Sequence, residues 1–98
     1  MTTQAAIQVK PLFALGRTLS TPGALTAMEQ VDISPLKLLS RHQRGDWGDL
    51  SVEDKRENDL SVKEEFRILS AYKIDQVKFW VITEADRSVT TILLPEEY

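Results

Sequence analysis

The chain has no cysteine, a single histidine, and no apolar run longer than four residues, as in Phe79 to Ile82. The missing thiols remove thiolate catalysis, iron–sulfur ligation and cysteine-rich zinc sites. A small domain made for an oxidising compartment often leans on disulfides, so their absence points to a cytoplasmic setting. A membrane span needs roughly 20 apolar residues, and nothing here approaches that length. The opening Met1 to Ile7 has no basic cluster followed by an apolar run, so no signal peptide is expected. An excess of positive charge is also lacking. Twelve Lys and Arg face fifteen Asp and Glu, and a net charge of −3 makes nucleic acid an unfavoured partner without excluding a local basic patch. Lys37, Arg41, His42 and Arg44 form the best candidate for one. Walker and dinucleotide-binding loops, zinc spacings and the serine-hydrolase elbow are absent as well, so no cofactor and no metal are expected.

What is present fits one modest core. Ninety-eight residues, 42% of them apolar and 28% charged, are too apolar for a disordered chain and too few for two cores. Residues 1–10 read as a loose lead-in, with Ile7 and Val9 alternating briefly, and residues 11–98 as a single domain. Phe13 and Leu15 alternate before Gly16, which suggests an extra short strand over Pro11 to Leu15.

Proline and glycine are scarce at four each, and they punctuate the chain clearly. Thr21-Pro22 predicts a helix start, because threonine can accept from free backbone N–H groups while proline at the first position forfeits a donor that has no partner anyway. Ser34-Pro35 repeats the device, and Gly45 is placed to end that second helix. Ser51 followed by Glu53 and Asp54 opens a third, which is polar from Lys55 to Asp59 and so is expected to be brief and superficial. Leu60-Ser61-Val62-Lys63-Glu64 echoes Leu50-Ser51-Val52-Glu53-Asp54, too short a match to mean a repeat architecture.

From Arg67 the period becomes two. Ile68, Ser70 and Tyr72 alternate with Leu69, Ala71 and Lys73, and further alternating or β-branched runs follow at Lys78 to Thr83 and Ser88 to Leu94. The breaks at Asp75-Gln76 and Glu84 to Arg87 suit antiparallel hairpins. The expected fold class is therefore α+β, with two to three short N-terminal helices packed on a C-terminal three-stranded antiparallel meander.

Four features carry potential chemistry. His42 titrates near neutrality and suits a general acid or base; alternatively it caps carbonyls at the end of the second helix, where the dipole favours a protonated ring, or packs beside Trp47. Trp47, between glycines, is either folded back as a lid on the core or presented to a partner. Asp46 and Asp49 beside it form an acidic loop that lacks the alternation of a calcium site. Glu84, Asp86 and Arg87, with Thr90 beyond, place acid, guanidinium and hydroxyl at one end of the sheet, as a phosphate site or as a polar turn.

Several blocks are also familiar together: Phe13 to Arg17, Thr21 to Leu25, Arg41 to Leu50, Arg67 to Tyr72 and Trp80 to Tyr98. They resemble a family of small proteins encoded on bacterial plasmids and integrative elements. The resemblance implies a bacterial, mobile-element context and carries no catalytic residues with it. In layout, helices followed by a meander are similar to the barnase–colicin–toxin group of metal-independent ribonucleases, which would use His42 with Arg87 and Glu84 or Thr90. The balance of these expectations is a non-enzymatic module that binds a protein partner, through Trp47, Asp46, Asp49, Asp86 or Arg87, with the ribonuclease as the alternative.

Overall fold

Three helix starts follow from three side-chain caps. A computed structural model of the chain describes residues 10–98, so the alternation of Ile7 and Val9, and all but the last residue of the expected lead-in, lie outside the described residues. The Thr21 hydroxyl accepts from Ala24 N–H at 3.2 Å and opens α1 (Pro22–Gln30). Ser34 accepts from Leu36 N–H at 3.2 Å before α2 (Pro35–Gln43), and Gly45, at φ +88°, follows its end. Ser51 accepts from Asp54 N–H at 3.1 Å before α3 (Val52–Glu64).

The fold class is α+β, but the sheet is larger than the expected meander. Its strands are β1 (Arg17–Ser20), β2 (Ile68–Ile74), β3 (Val77–Thr83) and β4 (Val89–Leu93), in the order β1-β4-β3-β2. The last three are antiparallel neighbours, whereas β1 lies parallel to β4 and makes the sheet mixed. The extra strand also falls later than Pro11 to Leu15. The Leu15 carbonyl accepts from the Thr90 hydroxyl at 2.7 Å. Gly16 then turns at φ +66°, where a Cβ would collide with the Arg87 and Ser88 carbonyls, so the chain becomes extended only at Arg17.

Short helices survive by burying a face. Ala24 and Met28 of α1 and Leu38 and Leu39 of α2 pack with Tyr72, Phe79, Val81 and Ile92 of the sheet. Burying a leucine or methionine of this kind is worth about 1.5–3 kcal/mol. The other face carries the row Leu19–Thr91–Ile82–Leu69, followed by Leu93–Trp80–Ala71, and Tyr98 lies edge-on to Trp80 at 5.6 Å.

The third helix lies on the surface as expected, with only Asn58 and Ser61 buried, but it is not brief, since it runs 13 residues through the Leu60-Ser61-Val62 echo. Its anchor is polar rather than apolar. Asn58, only 5% exposed, donates to the Leu69 carbonyl at 2.7 Å and accepts from Leu69 N–H at 3.3 Å, doing for the outer edge of β2 what another strand would do. The edge is closed further along by the 46–49 loop. Ala71 N–H donates to the Trp47 carbonyl (3.3 Å), Asp49 N–H to the Ala71 carbonyl (2.7 Å), and Lys73 N–H to the Asp49 carboxylate (2.8 Å). Gly48 sits against Ala71 at φ +77°, where a Cβ would strike the Ala71 carbonyl. A sheet edge left open invites pairing with other chains, and this one is closed over three successive outward positions.

Candidate functional site

The second helix places His42 one turn after Leu38, on the face that meets the sheet. The ring is fully buried, with Nδ1 2.6 Å from the Ser70 hydroxyl and Nε2 2.9 Å from the Thr83 hydroxyl. Thr83 in turn lies 2.7 Å from the Thr90 hydroxyl. The proton order along this chain is fixed from its far end. The Leu15 carbonyl can only accept, so Thr90 donates to it and must accept from Thr83. Thr83, its hydrogen spent, accepts from Nε2–H of His42. Burial keeps the ring neutral, so with Nε2 protonated Nδ1 is bare, and the Ser70 hydroxyl donates to it.

A serine hydroxyl donating to a bare imidazole nitrogen is the arrangement of a nucleophile and its base. Here it is sealed. His42, Ser70, Thr83 and Thr90 are all 0% exposed, and no substrate atom can reach the pair. The helix-end dipole suggested a protonated ring, yet burial, with a smaller contribution from the Arg87 charge, pushes the His42 pKa down to about 3. Phe13 meets the ring edge-on at 5.2 Å and stacks at 6.2 Å on Trp47, so the histidine sits under an aromatic cover.

Arg87 does not share a cleft with His42. Its φ of +61° turns the side chain back under the β3–β4 hairpin, where Nη1 lies 2.8–3.2 Å from the carbonyls of Phe66, Glu84 and Ala85. Nη2 donates to the Ser61 carbonyl at 2.9 Å, at the C-terminal end of α3, where the helix dipole favours a cation. The guanidinium also faces the Phe13 ring at 5.6 Å. Glu84 lies outside this group, 3.6 Å from Arg67 on the surface. The ribonuclease set is thus divided, with His42 and Thr90 in the core, Arg87 on backbone carbonyls and Glu84 in solvent.

The other candidates are likewise committed locally. Trp47 is only 4% exposed and its Nε1–H donates to Asp59 at 3.0 Å, so it covers the core and is not presented to a partner. Asp46 accepts from Arg41 at 2.7 Å and from Gly48 N–H at 3.1 Å, and the Arg41 hydrogen bond holds its carboxyl below the usual range. That pair, together with the burial of His42, reduces the candidate basic patch over Lys37, Arg41, His42 and Arg44 to the exposed Lys37 and Arg44. Arg41 also covers the Tyr72 ring at 4.4 Å, and Tyr72, whose hydroxyl donates to the Asp46 carbonyl at 2.6 Å, has its pKa pushed up to about 12 by burial. Asp49 closes the β2 edge. Asp86 accepts from the Ser88 N–H (3.0 Å) and hydroxyl (2.6 Å), which is the chemistry of a polar turn.

Ser70, Thr83, Asn58 and Asp59 are the polar partners that the sequence did not single out. Their signal was position. Ser70 and Thr83 stand on the strand faces that carry Tyr72, Phe79 and Val81, where a polar side chain must find a partner.

Open concavities lie elsewhere. A groove of about 270 Å³ between α3 and β2 is lined by Asp54, Glu57, Asn58, Arg67 and Leu69, among others, and does not reach His42. Among the described residues there is no group of three or more side chains placed to hold a metal ion, and no helix long and apolar enough to cross a membrane. Comparison with protein-family models, with curated proteins and with solved structures finds no match to this chain.

Proposed function

We propose that the chain is a non-enzymatic protein-interaction module of a bacterial mobile element. The observation that carries this reading is the burial of His42, the sole histidine, with both ring nitrogens bonded to core hydroxyls. A general acid or base must come within hydrogen-bond reach of the group it serves, and this one is enclosed. Arg87 is spent on four backbone carbonyls and offers no free fork to a phosphate. Among the exposed charged residues the surface also shows large apolar side chains. Leu60 and Phe66, near the C-terminal end of α3, are 52% and 54% exposed, and a protein partner is the ligand class that covers such groups. The resemblance of five sequence blocks to plasmid-encoded small proteins supports the setting, and the net charge of −3 agrees with a partner other than nucleic acid.

The test is incubation of the purified protein with single-stranded and structured RNA in the presence of a chelator. The RNA is expected to remain intact. The Glu84 side chain is 47% exposed and meets only Arg67, at 3.6 Å, among the described residues, so its replacement leaves the core alone, and cleavage that follows the folded protein through purification and vanishes in Glu84→Gln would establish the ribonuclease in place of the module.

A further inference from the structure

The two edges of the sheet are finished differently. On β2, the outward groups of Leu69, Ala71 and Lys73 are met by Asn58, the 46–49 backbone and the Asp49 carboxylate. On β1, Arg17 N–H donates to the Ser88 carbonyl at 2.9 Å and Thr21 N–H to the Ile92 carbonyl at 3.0 Å. That parity turns Arg17, Leu19 and Thr21 toward β4 and directs the N–H and C=O groups of Thr18 and Ser20 outward. No described residue bonds to those four groups. No lysine, proline or bulge interrupts the strand, and its protection is limited to its four-residue length and the charge of Arg17 at one end.

We propose that β1 is a homodimerisation edge, pairing antiparallel with β1 of a second copy of this chain across a two-fold axis at Leu19. The inference rests on the reading of the chain as an interaction module and names its partner. The register follows from which groups are free. Two residues facing outward exchange both of their hydrogen bonds in an antiparallel pair, so Thr18 must face the partner's Ser20 and Ser20 the partner's Thr18. Four backbone hydrogen bonds result, and Leu19 stands opposite the partner's Leu19 as the close, non-bonded pair on the axis. Leu19 is 45% exposed and ends the row Leu19–Thr91–Ile82–Leu69, so the partner's row continues it across one face of an eight-stranded sheet.

Charge agrees with the same register. Arg17 falls opposite the partner's Thr21, and the Thr21 hydroxyl donates to the Glu97 carboxylate within each copy. Arg17, which has no ion pair among the described residues, therefore meets the partner's Glu97, and symmetry makes the contact twice. No like charges are opposed. A four-residue edge buries less than a standard interface, so the dimer is weak and depends on concentration.

Sedimentation equilibrium between about 10 µM and about 1 mM should show the mass rise from one chain toward two, as expected of a small interface. Amide exchange at Thr18 and Ser20 should slow in step with it. Leu19→Lys places two ammonium groups on the axis at an exposed position and should weaken association about tenfold or more, which corresponds to about 1.4 kcal/mol. Thr18→Pro, which removes an outward N–H that the monomer's ladder does not use, should act in the same direction. A chain that stays monomeric throughout, or a dimer indifferent to Leu19→Lys, would overturn the proposal. So would a monomer whose Thr18 and Ser20 amides are protected at every concentration, since the edge would then be closed within one chain. A monomer that leaves RNA intact defeats the dimer alone, while RNA cleavage defeats the module whether or not the chain dimerises.

Discussion

Below pH 6.5 the unfolded chain holds a proton on His42 that the folded chain refuses, and the stability lost in consequence can be measured. The ring is fully buried between hydroxyls, and burial takes its pKa from 6.5 to about 3. At about 1.36 kcal/mol for each pH unit of separation, that gap is worth about 5 kcal/mol in full. The dipole at the end of α2 would favour the charged ring by about 0.3–2 kcal/mol, which is too little to reverse it. Between about pH 3 and 6.5 the unfolded state binds more protons than the folded one, so stability rises with pH across that window. His42 therefore costs nothing above pH 6.5, about 2.7 kcal/mol at pH 4.5, and progressively more toward pH 3. For a domain whose whole stability is about 5–15 kcal/mol, that is a large fraction.

The carboxylates act in the same direction but lower down. Asp46, Asp86 and Glu97 all have pKa values held below their ordinary 3.8, 3.8 and 4.5 by hydrogen bonds to Arg41, Ser88 and Thr21. Their contributions are complete above those ordinary values and disappear only beneath them, so the range from pH 4.5 to 6.5 isolates the histidine. Urea unfolding followed by tryptophan fluorescence at half-unit steps should give a slope of about 1.4 kcal/mol per pH unit in that range. His42→Gln, which cannot titrate, should be less stable at pH 7 and flat over the same range. A wild-type slope below about 0.4 kcal/mol per pH unit, or a folded-state ring that titrates near its ordinary value, would refute the sealed, neutral histidine on which the functional reading depends.

Two further outcomes test the structural roles of neighbouring residues. Trp47→Ala should cost about 3–5 kcal/mol in urea unfolding, as large aromatic truncations in cores do, and a loss under about 1 kcal/mol would mean that the indole covers nothing. Asn58→Ala strands the N–H and C=O of Leu69 on the β2 edge, so stability should fall by about 1–3 kcal/mol and the Leu69 amide should exchange faster; unchanged exchange would show that α3 does not hold that edge.

The readable parts of the fold were those set by local chemistry. Thr21, Ser34 and Ser51 cap their helices because a free N–H and a hydroxyl three residues or fewer apart find each other whatever surrounds them. The hairpins at Asp75-Gln76 and at Glu84 to Arg87 were legible for the same reason, and Asp75, Gln76 and Arg87 adopt the positive φ that such turns require. The parallel pairing of β1 with β4 was not legible, because it joins residues some seventy positions apart and a four-residue strand is too short to show a period. The length of α3 was hidden by its composition. Lys55 to Asp59 has no apolar stripe, so the pattern suggested a brief surface helix, whereas the helix runs on, held by Asn58 on the sheet edge and by Asp59 on Trp47.

At the candidate site, residue type misled where position would have served better. His42 follows Leu38 by one helical turn, so a helix that buries Leu38 buries His42 with it. A buried imidazole must be bonded at both nitrogens or leave a costly orphan, and the partners must come from inward positions of the sheet. Ser70, between Ile68 and Tyr72, and Thr83, two residues after Val81, are polar residues on that inward parity. Their presence among apolar neighbours is the mark the histidine leaves on the sheet, although only the register shows which hydroxyl meets which nitrogen. Arg87 follows the same logic, because α3 ends with carbonyls that a guanidinium under the hairpin can satisfy. The conspicuous chemistry of His42, Arg87 and Trp47 is thus consumed in holding helices to sheet. What the fold leaves without a described partner is the backbone of Thr18 and Ser20, with Leu19 exposed between them, and it is this edge that the proposed dimer uses.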